Sequence, residues 1–367
     1  MIIGVNLIQY TELQGIETFI QNMLAHWPLA KEDRLILFTN QKSYQLFAAL
    51  NPRAEIISKN LKSRRFSLLL YQQFQLPRQL RKAGVDILLC PSLALPLFYR
   101  RKIVVIHDLA FRRYPEESGS LSRFYLNLAL LSAKYLSRGL ATVSEYARQE
   151  ISALLKIEIA KIINISEGVP LAPSAYSDPM AVALKDLPPL FFLYIGRAYP
   201  RKNLGALINS FRIFIKSHPD FSLLIAGQYD KRMAALRQTA EKLGLSRQIR
   251  FLDFITADAK RILIKEARAL VLASHYEGFG LPILEAQAAG LPVLAAQASS
   301  LPEIAGEGAL FVDPNNQNNI AAGMAKLADD ENLRQELIRR GYENIKRYSW
   351  EKSAEKLYDL LKNSLNA

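Results

Sequence analysis

At 367 residues, half of them hydrophobic, the chain is too long for one ordinary core and is predicted to fold as two domains. Its 47 Lys and Arg against 34 Asp and Glu give a net charge of +13, which attracts nucleic acid, anionic lipid or phosphorylated substrates alike and names no partner. A single cysteine, Cys90, excludes an intramolecular disulfide framework, and no apolar run reaches the roughly 18 residues of a membrane-spanning helix, so a cytoplasmic protein is predicted.

Short β-branched runs alternate with longer helical patterns from end to end, the pattern of parallel sheets covered by helices; the predicted class is α/β. Strands are predicted at residues 2–7, 35–39, 87–90, 103–107, 141–143 and 161–165. A second series is predicted at 191–195, 221–226, 249–252, 269–273, 292–295 and 310–312. Between the series lies VPLAPSAYSDP, a linker by composition, which places the domain break near residues 170–188. The first domain then covers residues 1–173, with 22 Lys and Arg against 13 Asp and Glu, and the second covers 185–349. The last segment, 350–367, has Ala354, Leu357, Leu360 and Leu361 at helical spacing and can pack on either domain.

Ligands of open parallel sheets bind beyond the carboxyl ends of the strands, so the residues after each strand carry the functional signal. The first strand leads to Gly15, read either as a turn glycine or as a close approach to a ligand. The strand at 103–107 ends in His107-Asp108-Leu109, where the histidine is either structural or in contact with substrate. Ser144 precedes a helix as its N-cap and is read as structural. Arg197, Arg201 and Lys202 cluster after the first strand of the second series, as a solvated face or as the grip on a diphosphate. The basic stretch at 59–82 places Lys62, Arg64 and Arg65 beside Phe66, Leu69, Leu70 and Phe74, as core packing or as a contact with anionic lipid headgroups.

The richest stretch is SHYEGFGLPILEAQAAGLPVLAAQASSLPEIAGEGALFVDP, residues 274–314. Pro282 suits the first turn of a helix, so a helix is predicted to start near Leu281. Gly278, Phe279 and Gly280 before it allow close approach of a ligand, and the helix start favours a phosphate. Glu285 is predicted in the first helical turn, facing a ribose diol, with Glu277 facing another part of the same ligand. The stretch reads as a sugar-nucleotide site.

These residues make the chain resemble the retaining glycosyltransferases of family 4, also called group 1, with the GT-B fold of two facing Rossmann-like domains and a central cleft. The resemblance spans nearly the whole chain and rests on Glu277-GFGLPIL-Glu285, the following AQAAGLPV and SSLPEIAGEGALFVDP, and YIGRAYPRKNL, HDLAF and TVSEYARQEI in the expected order. The RKN and SSLPE forms look most like mannosyltransferase-type members. The resemblance implies that Arg197, Lys202 and Arg201 hold a donor diphosphate, Glu285 binds the ribose and Glu277 contacts the transferred sugar. It further implies that His107 lies on the reacting face of that sugar, that Gly15 lies near the phosphates, and that Phe254 and Ile255 meet the base through their backbone. Family members often carry more than one glycine in the first loop; this chain has only Gly15 there.

The implied activity moves a hexosyl group, mannosyl by these forms, from a nucleoside-diphosphate sugar to a saccharide or lipid-linked saccharide acceptor, with retention, in cell-surface polysaccharide synthesis. No cofactor is expected, and the absence of any D-x-D spacing argues against a metal-bridged diphosphate. An anionic membrane surface at the inner face is an expected contact and nucleic acid is not, since basic and aromatic residues are not interleaved on a platform. The competing readings are a nucleotide-sugar epimerase on the same fold, which needs no acceptor, and a basic nucleic-acid-binding protein. An oxidoreductase fits less well, because Ile283 stands where a third fingerprint glycine belongs.

Overall fold

The computed structural model describes residues 1–10, 16–61, 65–169, 186–253 and 255–365. Gly15, Phe254 and most of the expected linker lie outside the described residues. The chain divides into two compact units, Met1–Gly168 with Ser349–Ala367, and Val169–Tyr348.

The first unit holds a sheet of parallel strands: β1 (Ile2–Leu7), β2 (Arg34–Asn40), β3 (Glu55–Lys59), β4 (Ile87–Cys90), β5 (Lys102–Ile106), β6 (Gly139–Thr142) and β7 (Ile162–Asn164). Their order in the sheet is β3-β2-β1-β4-β5-β6-β7. Its helices are α1 (Ile16–Ala25), α2 (Tyr44–Ala48), α3 (Arg65–Leu70), α4 (Leu76–Lys82), α5 (Ala110–Arg113), α6 (Ser120–Leu136) and α7 (Glu145–Leu155). A π turn at Tyr71–Gln75 joins α3 to α4. Ser144 caps α7 by accepting the Ala147 N–H at 3.1 Å, the structural role read for it.

The second unit holds β8 (Phe191–Ile195), β9 (Ser222–Ala226), β10 (Ile249–Leu252), β11 (Ala269–Leu272), β12 (Val293–Ala296) and β13 (Ala309–Val312), in the order β10-β9-β8-β11-β12-β13. Its helices are α8 (Leu204–Phe214), α9 (Lys231–Lys242), α10 (Ala257–Glu266), α11 (Leu281–Ala288), α12 (Leu301–Ala305), α13 (Gln317–Asp329) and α14 (Glu331–Ile345). Central strands are buried on both faces, as their unbroken apolar runs require: every residue of β4, β5, β9, β11 and β12 is buried.

The expected strands are present, with ends within a residue or two of those expected, and β3 is an addition. Its sequence, EIISK, offers two half-buried isoleucines at the sheet edge and no alternation long enough to read as a strand. In both sheets the strand order reverses once, between β1 and β4 and between β8 and β11. Crossovers leave in opposite directions on either side of such a point, which opens a crevice beyond the carboxyl ends of the two strands.

The terminal helix α15 (Trp350–Asn363) belongs to the first unit. Its Ala354, Leu357 and Leu361 are fully buried, as their helical spacing demands. Trp350 packs edge-on against Phe19 at 6.0 Å, and Tyr358 donates to Asp33. Gly168 lies against the Trp350 backbone, where a Cβ would come within 2.4 Å of Trp350 N, so only glycine fits. Trp350→Ala should cost about 3–5 kcal/mol of the first unit's stability, read as a lower urea midpoint; an unchanged midpoint would show that α15 contributes nothing to that core.

Candidate active site

The second unit's strand reversal brings two loops together. The loop after β8 begins at Gly196, whose amide donates to the Ala226 carbonyl at 2.9 Å, tying it to the end of β9. Gly227 comes next there, and a Cβ on it would stand 2.0 Å from the Gly196 carbonyl oxygen, so this close approach of two backbones demands glycine. Tyr194 is buried and donates to the Arg197 carbonyl at 3.1 Å; burial, with the Glu277 charge adding to it, pushes its hydroxyl well above the ordinary range, so it stays a donor.

The three cations after β8 have different surroundings. Arg197 is exposed and donates to the Tyr199 hydroxyl at 3.2 Å. Arg201 lies over the Tyr199 ring, 4.9 Å from its centroid. Lys202 turns inward and pairs with the carboxylate of Glu277. Asn203, at φ 58°, locks the turn by donating to the carbonyls of Ala273 (3.1 Å) and Pro314 (2.7 Å). The Arg201 carbonyl accepts the His275 amide at 2.8 Å, so the loops after β8 and β11 are stitched side by side.

The loop after β11 is equally constrained. Ser274 donates to the other oxygen of Glu277 at 2.9 Å, and the Glu277 amide donates to Ser299 Oγ at 2.9 Å. Ser299 sits at φ 52°, a left-handed conformation uncommon for serine and held here by its place against this loop. Ser300 donates to the carbonyls of Glu277 and Phe279, at 3.0 and 2.7 Å. Gly280, at φ 119°, is the residue from which α11 starts at Leu281, as expected. Phe279 is buried against the Tyr348 ring, 5.9 Å away, so it supports the loop and does not project from it.

Glu285 departs from expectation. It is the fifth residue of α11, one turn deeper than predicted, and the first turn carries no acid. Its carboxylate pairs with Lys260 of α10 at 2.5 Å. Neither Lys260 nor Ser274 stands out in the sequence as a site residue. Lys260 lies in the first turn of α10 just beyond β10, and its place past a strand's carboxyl end is the one signal that could have found it. Ile255, partly buried, packs on the second unit's core immediately before the α10 N-cap, Thr256.

In the first unit, His107 comes after β5 and turns over the end of the neighbouring β4, where its Nε2 donates to the Pro91 carbonyl at 2.9 Å. Its Nδ1 faces Glu167 at 3.6 Å, and the Phe19 ring meets it edge-on at 4.8 Å. Glu167 is buried just beyond β7 and its Oε2 has no hydrogen-bond partner among the described residues. No motif in the sequence marks this acid. An acceptor therefore faces each ring nitrogen, which fixes the ring's orientation.

These features by themselves define a class: two parallel α/β units, the second presenting paired carboxylates and cations at a strand-order reversal. Residues 179–344 match the family described as glycosyl transferases, group 1. Over 267 residues the chain is 29% identical to the O-antigen chain mannosyltransferase B of Escherichia coli, covering 71% of this chain and 70% of that one. It is 30% identical to the serotype-specific mannosyltransferase WbdA of the same species, covering 69% of this chain but only 32% of that longer protein. The fold matches that of Anabaena Alr3699/HepE, solved in complex with UDP and glucose, with a TM-score of 0.76 at 17% identity, over 99% of this chain and 100% of that one. The chain has the GT-B fold, and over residues 179–344 it is similar to the group 1 glycosyltransferases, with mannosyltransferases among its relatives.

Glu277 and Lys202 side chains are only 12% and 15% exposed, which puts the pair in the regime of buried charges. Glu277→Gln should therefore lower the second unit's stability by about 1–3 kcal/mol in denaturant unfolding, because Lys202 keeps its charge without a counter-charge. An unchanged midpoint would mean that Lys202 is hydrated in solution.

Proposed function

We propose that the protein is a retaining, metal-independent hexosyltransferase that moves a mannosyl group from a nucleoside-diphosphate sugar to a saccharide or lipid-linked saccharide acceptor in cell-surface polysaccharide synthesis. The observation that carries this reading is the Lys202–Glu277 pair, with Glu285–Lys260 beside it, at the β8/β11 reversal inside the region that matches the family. The mannosyl assignment is supported by the likeness to the two mannosyltransferases, and the nucleotide assignment by the fold's likeness to a protein solved with UDP.

Breaking the donor's glycosidic bond builds negative charge on the departing diphosphate and oxocarbenium character on the sugar. A diphosphate entering this crevice takes the place of Glu277 as partner to Lys202, and Arg197, Arg201 and the amides opening α11 add to its stabilisation. Glu277, released from Lys202 and steadied by Ser274, accepts hydrogen bonds from hydroxyls of the transferred sugar. Lys260 orients Glu285 to receive the ribose diol. We assign His107, oriented by Glu167, to the reacting face of the sugar, and retention to same-face attack in which the departing phosphate helps take the acceptor proton. Among the described residues no cluster of three or more His, Cys, Asp or Glu side chains is arranged to hold a metal ion. Fixed cations are the charge compensation this reading assigns to the site. We place the enzyme in the cytoplasm at the inner membrane face; among the described residues no helix is long and apolar enough to cross a membrane.

A thermal-shift screen of nucleoside diphosphates and their sugars tests the donor assignment. A GDP and GDP-mannose preference supports the mannosyl reading, whereas a UDP preference moves it to another hexose. Glu285→Ala should weaken donor binding by about 10-fold or more, the loss of a charge-assisted hydrogen bond pair; wild-type turnover in that variant would remove Glu285 from the site. Product formed without acceptor would mark an epimerase instead.

A further inference from the structure

Helix α6 buries one face on the first unit's core through Ala129, Leu130 and Ala133. Its opposite face is not polar. Leu121, Phe124, Leu128, Leu131 and Tyr135 are all exposed, with Leu121 at 79%, Tyr135 at 68% and Phe124 at 61%. Their spacing of three, four, three and four residues aligns them in one stripe along the helix. Five exposed large apolar side chains in line exceed the scattered singletons of an ordinary surface and mark an interaction site.

The stripe continues onto the segment between β4 and β5. Ser132 of α6 donates to the Leu97 carbonyl, and Tyr125 of α6 donates to the Leu95 carbonyl at 2.9 Å. Lys102 binds the carbonyls of Leu97 and Tyr99 from below. Phe98, held between those two anchored residues, is 83% exposed. Cations accompany both parts of the apolar strip. Arg123 and Lys134 lie along the outer flank of α6; Arg100 and Arg101 come after Phe98 and, with Arg81, line a 360 Å³ pocket.

We infer that this face docks on an anionic phospholipid bilayer, with the apolar stripe and Phe98 entering the headgroup boundary and the bordering cations meeting lipid phosphates. The charge pattern selects this occupant over a second copy of the chain. α6 contains Arg123 and Lys134 and no Asp or Glu, so pairing two stripes lays cation against cation whether the helices run parallel or antiparallel. Glu116 and Glu117 precede the helix, in the turn whose Pro115 carbonyl accepts from Arg123 at 3.2 Å. The site also differs from the sequence expectation, which put lipid contact on residues 59–82; Leu70 and Phe74 there are exposed, but Lys62 and Arg64 lie outside the described residues. The inference does not depend on the donor chemistry.

Vesicle flotation of the full chain tests it, with phosphatidylcholine vesicles against vesicles of roughly one-third phosphatidylglycerol. The expected result is at least about tenfold tighter binding to the anionic vesicles, released by added salt. Phe124→Ser/Leu131→Ser should weaken that binding by about tenfold or more, and Arg123→Gln/Lys134→Gln by about tenfold on anionic vesicles only. Phe124 and Leu131 are exposed and Arg123 and Lys134 half-buried, and an unchanged melting temperature and nucleoside-diphosphate shift on the same samples verify the fold of both variants. Absence of flotation, equal binding to neutral vesicles, or stripe variants that bind like the parent protein would overturn the inference. A dimer in light scattering that Phe124→Ser/Leu131→Ser dissolves would also overturn it and assign the face to a second copy.

Discussion

The parallel pairing of β8 with β11, Phe192 beside Ala269 and Leu193 beside Leu270, is the constraint on which the second unit's chemistry rests. It sets side by side two loops that are 75 residues apart in the chain, measured from Lys202 to Glu277. Everything that distinguishes the site stems from that adjacency: the amide of His275 on the Arg201 carbonyl, Asn203 on Ala273, and the inward turn of one cation out of three. A buried ion pair costs more in lost hydration than a hydrophobic pair of similar volume. Its retention there fits the proposed exchange of Glu277 for a diphosphate as the partner of Lys202.

The first unit repeats the device with different groups. Its reversal lies between β1 and β4, and the residues after both strands meet there: Gln9 and Tyr10 beyond β1 bond to Ser92 beyond β4, at 3.0 and 2.6 Å. His107, one strand further along, reaches back over this point to the Pro91 carbonyl. Glu167 comes from beyond β7, two strands further still, and the His107 ring is the polar group its buried carboxylate faces.

The chain's excess positive charge has two kinds of use. In the second unit cations pair with acids inside the crevice, as Lys202 and Lys260 do. In the first unit cations line exposed apolar surface, as Arg123, Lys134, Arg100 and Arg101 do, where they form no acid-rich network on α6 itself. A net charge cannot separate these uses, because both look like scattered Lys and Arg in composition.

The class of fold, the positions of nearly all strands, the start of α11 and the loops that carry the candidate site were legible in the amino-acid order. Each of these depends on local chemistry: apolar runs for strands buried on both faces, Pro282 in a first turn, Gly280 where φ must be positive. Edge strand β3 escaped because two half-buried isoleucines give no periodicity, and Glu285, expected in the first turn, is the fifth residue counted from the correctly expected start at Leu281. The partners of each charged group were not legible there. Lys202 with Glu277, Lys260 with Glu285 and His107 with Glu167 are joined by strand order, a property of non-local pairing that no window of sequence contains. The exposed stripe of α6 is the same lesson reversed: its apolar spacing predicts a buried face, and only the packing of the other face on the core reveals that this one is left to the outside.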